Sequence, residues 1–149
     1  MSVVEKMLEV AGLTAEDVVY DLGSGDGRVV VLAAQKYGAK SVGVELDQGL
    51  ARESTEKVQE LKLESLVTII EGDLLKTDLK PATVVTIYLL PAAIEQLRPI
   101  LEKELSAGSR VVSHDWLIYG WEADREEAVQ VNGATHFVYL FRVPDAFRR

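Results

Sequence analysis

Val18-Val19-Tyr20-Asp21-Leu22-Gly23-Ser24-Gly25-Asp26-Gly27-Arg28 is the stretch that decides the fold. It opens with a β-branched and aromatic run, which favours a strand. Glycines alternate at 23, 25 and 27, and a segment able to form a helix follows from Arg28 to Tyr37. Strand, glycine-rich turn and helix in that order form the phosphate-loop grammar of nucleotide-binding βαβ units. Glycine is needed where the turn is tight and a ligand rests against the backbone, because a Cβ would collide. The dinucleotide fingerprint is G-x-G-x-x-G. Here the third glycine comes one residue early and Arg28 takes the place expected for it, while Asp21 sits two residues before the first glycine.

On the amino-terminal side, Ser2-Val3-Val4-Glu5 reads as a capping box. Val3, Val4, Met7, Leu8 and Ala11 follow at helical spacing and Gly12 is a stop, which gives a leader helix beside the sheet. After the glycine turn, Val29, Val30, Leu32, Ala33, Ala34 and Tyr37 supply the buried face of a crossover helix. The run Val29-Val30-Val31-Leu32 has strand propensity. The connection to a parallel neighbour nevertheless calls for a helix. Ser41 to Glu45 is a second strand ending on a carboxylate, and Glu45 follows Gly27 by 18 residues. An acid at that position binds ribose hydroxyls in nucleotide folds. Leu50, Ser54, Val58 and Leu61 mark a second amphipathic helix, and Leu66 to Ile70 a third strand. Asp73, just beyond it, has two readings. It can face the same crevice and accept from an adenine amino group, or it can serve the turn that Gly72-Asp73 favours.

Ala82 to Leu90 is nearly continuous apolar sequence, as a central strand covered on both faces requires. Ile94, Leu97, Leu101 and Leu105 repeat at helical spacing, with Pro99 expected to kink or split that helix. Ser109 to Ser113 form a fifth strand running into His114-Asp115-Trp116. Ala128 to Val131, then Asn132-Gly133, then Thr135 to Val143 is a hairpin signature. Alternating strands and helices closed by a hairpin make an α/β sheet with an antiparallel edge. No internal repeat or linker interrupts it, so residues 1–149 are read as one domain.

Composition narrows the function. Glu5 and Glu9 interrupt the first apolar pattern, which excludes a signal peptide, and the apolar runs fall short of a membrane span. With no cysteine there are no disulfides and no thiolate zinc sites, and a cytoplasmic location is the default. His114 and His136 are far apart in sequence and show no metal-ligand spacing, so no metal is expected. Net charge is −8 and Lys and Arg form no cluster, so no nucleic-acid partner is expected and cationic partners are favoured.

The pattern Asp21-Leu22-Gly23-Ser24-Gly25-Asp26-Gly27 resembles motif I of the class I S-adenosylmethionine-dependent methyltransferases. With Glu45, Asp73 and the hairpin, the resemblance covers nearly the whole chain. It implies their Rossmann-like fold: a seven-stranded, mostly parallel sheet of order 3-2-1-4-5-7-6, strand 7 antiparallel, helices on both faces. More narrowly, Tyr20 to Arg28, Val42 to Glu45, Val84 to Leu90, Leu101 to Leu105 and Arg110 to Trp116 are similar to the archaeal broad-specificity protein-lysine methyltransferases and their mitochondrial relatives. The resemblance implies S-adenosyl-L-methionine as cofactor, bound by Asp21, Gly23, Ser24, Gly25, Gly27, Glu45, Asp73 and Leu74. Asp21 would steer the ammonium, and loop N–H groups would take the carboxylate. It implies methyl transfer to lysine ε-amines of many proteins. A small-molecule or RNA methyltransferase, or a partner subunit that binds the cofactor without turnover, remains the alternative.

Three residues are candidates for the chemistry. Tyr88 either lines a lysine channel or is a rim tyrosine. His114 and Asp115 either orient or accept the amine proton, or only tie up a strand end. Trp116 and Trp121 read as packing residues. Relatives carry a Tyr- and Pro-containing segment ahead of the leader helix, whereas this sequence opens at the helix itself. Tyr88-Leu89-Leu90-Pro91 stands where enzymes acting on amide or base nitrogens have Asn/Asp-Pro-Pro-aromatic, which argues against DNA adenine or glutamine methylation.

Overall fold

Val18–Leu22 forms β1 at the centre of a seven-stranded sheet in the computed structural model, which describes residues 1–147. The other elements are α1 (Val3–Val10), α2 (Arg28–Tyr37), β2 (Lys40–Glu45), α3 (Gln48–Glu60), β3 (Val67–Glu71), β4 (Val84–Ile87), α4 (Pro91–Glu104), β5 (Arg110–His114), β6 (Arg125–Val131) and β7 (Ala134–Arg142). Strand order is 3-2-1-4-5-7-6, with β7 antiparallel to β5 and to β6 and the remaining pairs parallel.

Alternation along each strand feeds two separate cores. Tyr20, Leu22, Val85, Ile87, Val111 and Phe141 point to one face, where Ile94, Leu97 and Leu101 of α4 cover them with Trp121. Val19, Val84, Val112, Val138 and Leu140 point to the other, under Met7 and Leu8 of α1 and Val29 and Ala33 of α2. A third cluster joins Val30 and Ala34 of α2 to Val58 of α3 and Val67 of β3. The helical run of valines in α2 thus serves two clusters at once, and that burial outweighs its strand propensity.

Local signals place the ends. Ser2 Oγ accepts from Glu5 N–H at 3.1 Å and Glu5 Oε1 accepts from Ser2 N–H at 3.4 Å, closing the capping box of α1. Asn132 and Gly133 take φ of 49° and 80°, the left-handed pair of a two-residue hairpin turn. Two expectations need correction. The helix α4 is not split at Pro99 and continues to Glu104. Pro99 is exposed, so the carbonyl deprived of its N–H partner faces water, and Arg98 spans that turn to Glu95 (2.6 Å) and Glu102 (3.8 Å). Strand β4 stops at Ile87, so Tyr88-Leu89-Leu90 leaves the sheet and enters the crevice loops.

At the opposite end of the sheet, Arg110 donates to Ala11 O (3.0 Å) and Asp17 Oδ2 (2.9 Å), while Thr83 Oγ donates to Asp17 Oδ1 (2.8 Å). Burial opposes ionisation of Asp17, yet Arg110, Thr14 and Thr83 hold its carboxyl below the usual range. This knot pins the entries of β1, β4 and β5, leaving the carboxyl ends to carry the site. No helix among the described residues is long and apolar enough to cross a membrane.

Candidate active site

The carboxyl end of β1 delivers Asp21 to the floor of a cleft and the glycine turn forms its wall. Gly23, Gly25 and Gly27 all have positive φ, of 81°, 58° and 86°. Their surroundings differ. A Cβ on Gly27 would come within 3.0 Å of Ser54 Cβ, so that glycine serves the α2–α3 contact. At Gly25 nothing lies within 4 Å of such an atom, so that position faces open space on the ligand side. Gly43 in β2, not singled out from the sequence, is needed because its Cβ would lie 2.8 Å from both Ser24 Cβ and Ser24 Oγ. A glycine inside a strand is the signal for such an approach.

The loop N–H groups are largely spent. Those of Gly23 and Ser24 donate to Val44 O (2.9 and 3.0 Å), and that of Gly27 to Ser24 O (3.0 Å). Gly25 N–H donates to Glu45 Oε1 at 2.7 Å, and Asp47 N–H to Glu45 Oε2 at 3.0 Å. Glu45 therefore shapes the loop as well as flanking the crevice. Asp73 Oδ1 accepts from Leu75 N–H (2.9 Å) and caps the short helical turn Leu74–Lys76, so its turn reading is realised.

A cleft of about 1040 Å³ opens here, walled by Asp21, Gly23, Ser24, Gly25, Tyr88 and His136 among others. Gly27, Glu45, Asp73 and Leu74 are not part of that wall. Asp21 is buried and, among the described residues, accepts only from Thr86 Oγ (2.7 Å). Burial, reinforced by the charges of Glu45 and Asp26, pushes its carboxyl up to about 7 against the Thr86 bond. The loop thus gathers Asp21, Asp26 and Glu45, and of these Asp26 has a cation, Arg28, in a two-pronged contact at 3.1 and 3.0 Å. Ser24 Oγ is buried without a hydrogen-bond partner among the described residues. A buried, cation-free Asp21 in the floor and an orphaned hydroxyl in the wall suit a ligand carrying positive charge and polar acceptors.

The second half of the site comes from the ends of β4 and β5. Tyr88 is half exposed and its ring stacks on His114, centroids 3.8 Å apart and planes within 4°. His114 is buried, and burial together with the neighbouring His136 holds its imidazole below the ordinary range, against the pull of Asp115. Asp115 has φ of 63°, unusual for a residue with a side chain. It is clamped to β7 by its N–H to Phe137 O (2.7 Å) and by Oδ1, which accepts from Phe137 N–H (2.8 Å). Its Oδ2 stands 3.3 Å from His114 Nε2 and 3.4 Å from His136 Nδ1.

The structure thus brings Tyr88, His114 and Asp115 together and adds His136, whose Nδ1 lies 2.9 Å from His114 Nε2. Separation in sequence hid that partner. Antiparallel pairing sets His114 opposite Val138, two residues from His136, and no spacing rule reports a register. Of the tryptophans, Trp121 is buried and donates to Glu102 Oε2 (2.7 Å), whereas Trp116 is exposed.

Sheet order, glycine loop and cationic-ligand cleft define a class I S-adenosylmethionine-dependent methyltransferase. The model of the ANTKMT methyltransferase domain matches residues 21–125, and the chain belongs to that family. It is 41% identical to a protein-lysine N-methyltransferase of Saccharolobus islandicus over 93% of this chain and 87% of the relative. It is 31% identical to the mouse adenine nucleotide translocase lysine N-methyltransferase over 83% of this chain, spanning 58% of that protein's length. Among solved structures, an RNA methyltransferase from Salinibacter ruber in complex with S-adenosyl-L-homocysteine superposes with a TM-score of 0.89 at 45% identity, covering 96% of this chain and 91% of that one. The cofactor is S-adenosylmethionine, and the buried Asp21 carboxyl in the cleft suits its positive charge.

Proposed function

We propose that this enzyme methylates the ε-amine of lysine on many proteins. The observation that carries the reading is the Tyr88 ring lying flat on a buried imidazole at the mouth of the cofactor cleft. Asp21, Ser24 and Glu45 would hold the cofactor, which supplies a methyl group already activated on sulfur. The protein's own part is then alignment and proton removal. Lysine has a pKa of about 10.4 and must lose a proton before it can attack. The Tyr88 face admits the aliphatic stem and attracts the ammonium, and the partly dry setting favours the neutral amine. The pair His114 Nε2–His136 Nδ1 takes the proton, with Asp115 Oδ2 beside both nitrogens to stabilise the cation so formed. His136 is the more exposed of the two and passes the proton to solvent.

Breadth of substrate is supported by the exposure of Leu90, Trp116 and Leu117, which follow Tyr88 and Asp115 in the chain, and by the lack of any domain inserted between the strands among the described residues. Such a surface is shallow and reads a lysine with little of its surroundings. RNA, named for the Salinibacter ruber relative, is the rival substrate. Against it stand a net charge of −8 and an Arg28 already neutralised by Asp26 beside the cleft. The test is methyl transfer to a lysine-rich protein by wild type and Tyr88→Ala. Turnover should fall roughly tenfold or more while cofactor affinity stays within about twofold, the mark of a group that positions the acceptor. Equal turnover would remove Tyr88 from the channel.

A further inference from the structure

We propose that His114 Nε2, His136 Nδ1 and Asp115 Oδ2 form a binding site for a divalent transition-metal ion of the zinc type, and that the ion switches methyl transfer off. The three atoms stand 2.9, 3.3 and 3.4 Å apart. Donors on a tetrahedral zinc ion with bonds of 2.0–2.1 Å are roughly 3.3 Å apart, and adjacent donors on an octahedral ion roughly 2.9 Å apart. The triangle therefore has the dimensions of one face of a coordination shell, and two imidazoles with one carboxylate are a donor set for such ions.

The alternative, a network of ordinary hydrogen bonds, accounts for one side of the triangle only. The two rings share a proton at 2.9 Å, but Asp115 Oδ2 accepts a hydrogen bond from neither ring. It is held there all the same, by a left-handed backbone and by the Phe137 clamp on Oδ1. The Tyr88 stack fixes the plane of His114. Two of the three donors are thus oriented by a contact outside the triangle, as metal ligands are. His136 forms part of the cleft wall, so an ion has a route in from solvent.

Inhibition follows from coordination and rests on the lysine reading above. Binding displaces the shared proton and commits the lone pairs of both rings to the ion, so neither can take the ammonium proton of lysine.

The experiment titrates the purified protein with Co²⁺, following its visible absorption, then displaces it with Zn²⁺. One equivalent should bind, and His136→Ala should weaken binding by tenfold or more. Asp115→Asn, which keeps an acceptor for Phe137 N–H, should weaken it in the same sense. Retained binding of S-adenosylhomocysteine shows that each variant is folded, and should one fail this check the other decides. In parallel, Zn²⁺ should abolish transfer to a lysine-rich protein with the same midpoint, and chelation should restore it. No absorption band, or one untouched by the folded variants, overturns the metal site. Stoichiometric binding that leaves transfer intact keeps the site and overturns the proton-acceptor role of His114.

Discussion

At the scale of single residues, Asp21 concentrates the physics of the site. Its carboxyl sits near 7 when folded, against about 3.9 in an unfolded chain, so folding favours the protonated form. The unfolded state binds fewer protons between those values, so this group's contribution to stability is complete below about pH 4 and is lost as pH rises through 7. Asp21→Asn removes that loss. Its cofactor-free form should melt higher than wild type at about pH 8, by on the order of 2–4 kcal/mol, and should match it near pH 4. The same variant should bind S-adenosylmethionine more weakly, because the cation that relieves the buried acid has lost its counterpart. Thermal melts across pH read the first effect and calorimetry the second; a wild-type stability that does not decline toward alkaline pH would contradict both. Glu45 has a different task. Its two oxygens hold Gly25 N–H and Asp47 N–H, so Glu45→Ala orphans both and lets the loop relax. Cofactor affinity should fall by about 1–3 kcal/mol in a folded protein. Unchanged affinity by calorimetry would detach Glu45 from the site.

At the scale of elements, the glycine loop is held by its neighbours as much as by its own glycines. Ser24 approaches β2 so closely that Gly43→Ala forces a contact of 2.8 Å. We expect a loss of roughly 1–3 kcal/mol in stability, the usual cost of overpacking, with weaker cofactor binding. A variant that melts and binds like wild type would show the loop to be pliant. The β1–loop–α2 unit was legible in the sequence because each step has a local cause: β-branched residues, glycines needing positive φ, a 3.6-residue apolar period. Asn132-Gly133 was legible for the same reason. What escaped was set by tertiary register or by water. Hydrophobicity runs on past Ile87, so the end of β4 is invisible in composition, although it releases Tyr88 into the site. Pro99 does not split α4, and its side of the helix meets solvent. His136 joined the site through the β5–β7 pairing, which no linear spacing encodes.

At the scale of the molecule, charge and shape act together. On the lysine reading, a net charge of −8 would draw cationic substrates by a long-range field that salt screens over a Debye length of about 8 Å at physiological ionic strength. Transfer to lysine-rich proteins should therefore slow as salt rises, chiefly through KM, and initial rates across a salt series will show it; a salt-independent KM would place recognition in contacts alone. The Arg110–Asp17 knot ties together the far end of the sheet, opposite the crevice loops. The most direct test sets the two candidate acceptors against each other. The purified enzyme is given isotopically labelled S-adenosylmethionine with a mixture of cellular proteins and RNA, and both fractions are analysed by mass spectrometry. The account predicts labelled ε-N-methyl-lysine on several unrelated proteins and an unlabelled RNA fraction. Label confined to RNA, with the protein lysines untouched, would contradict it.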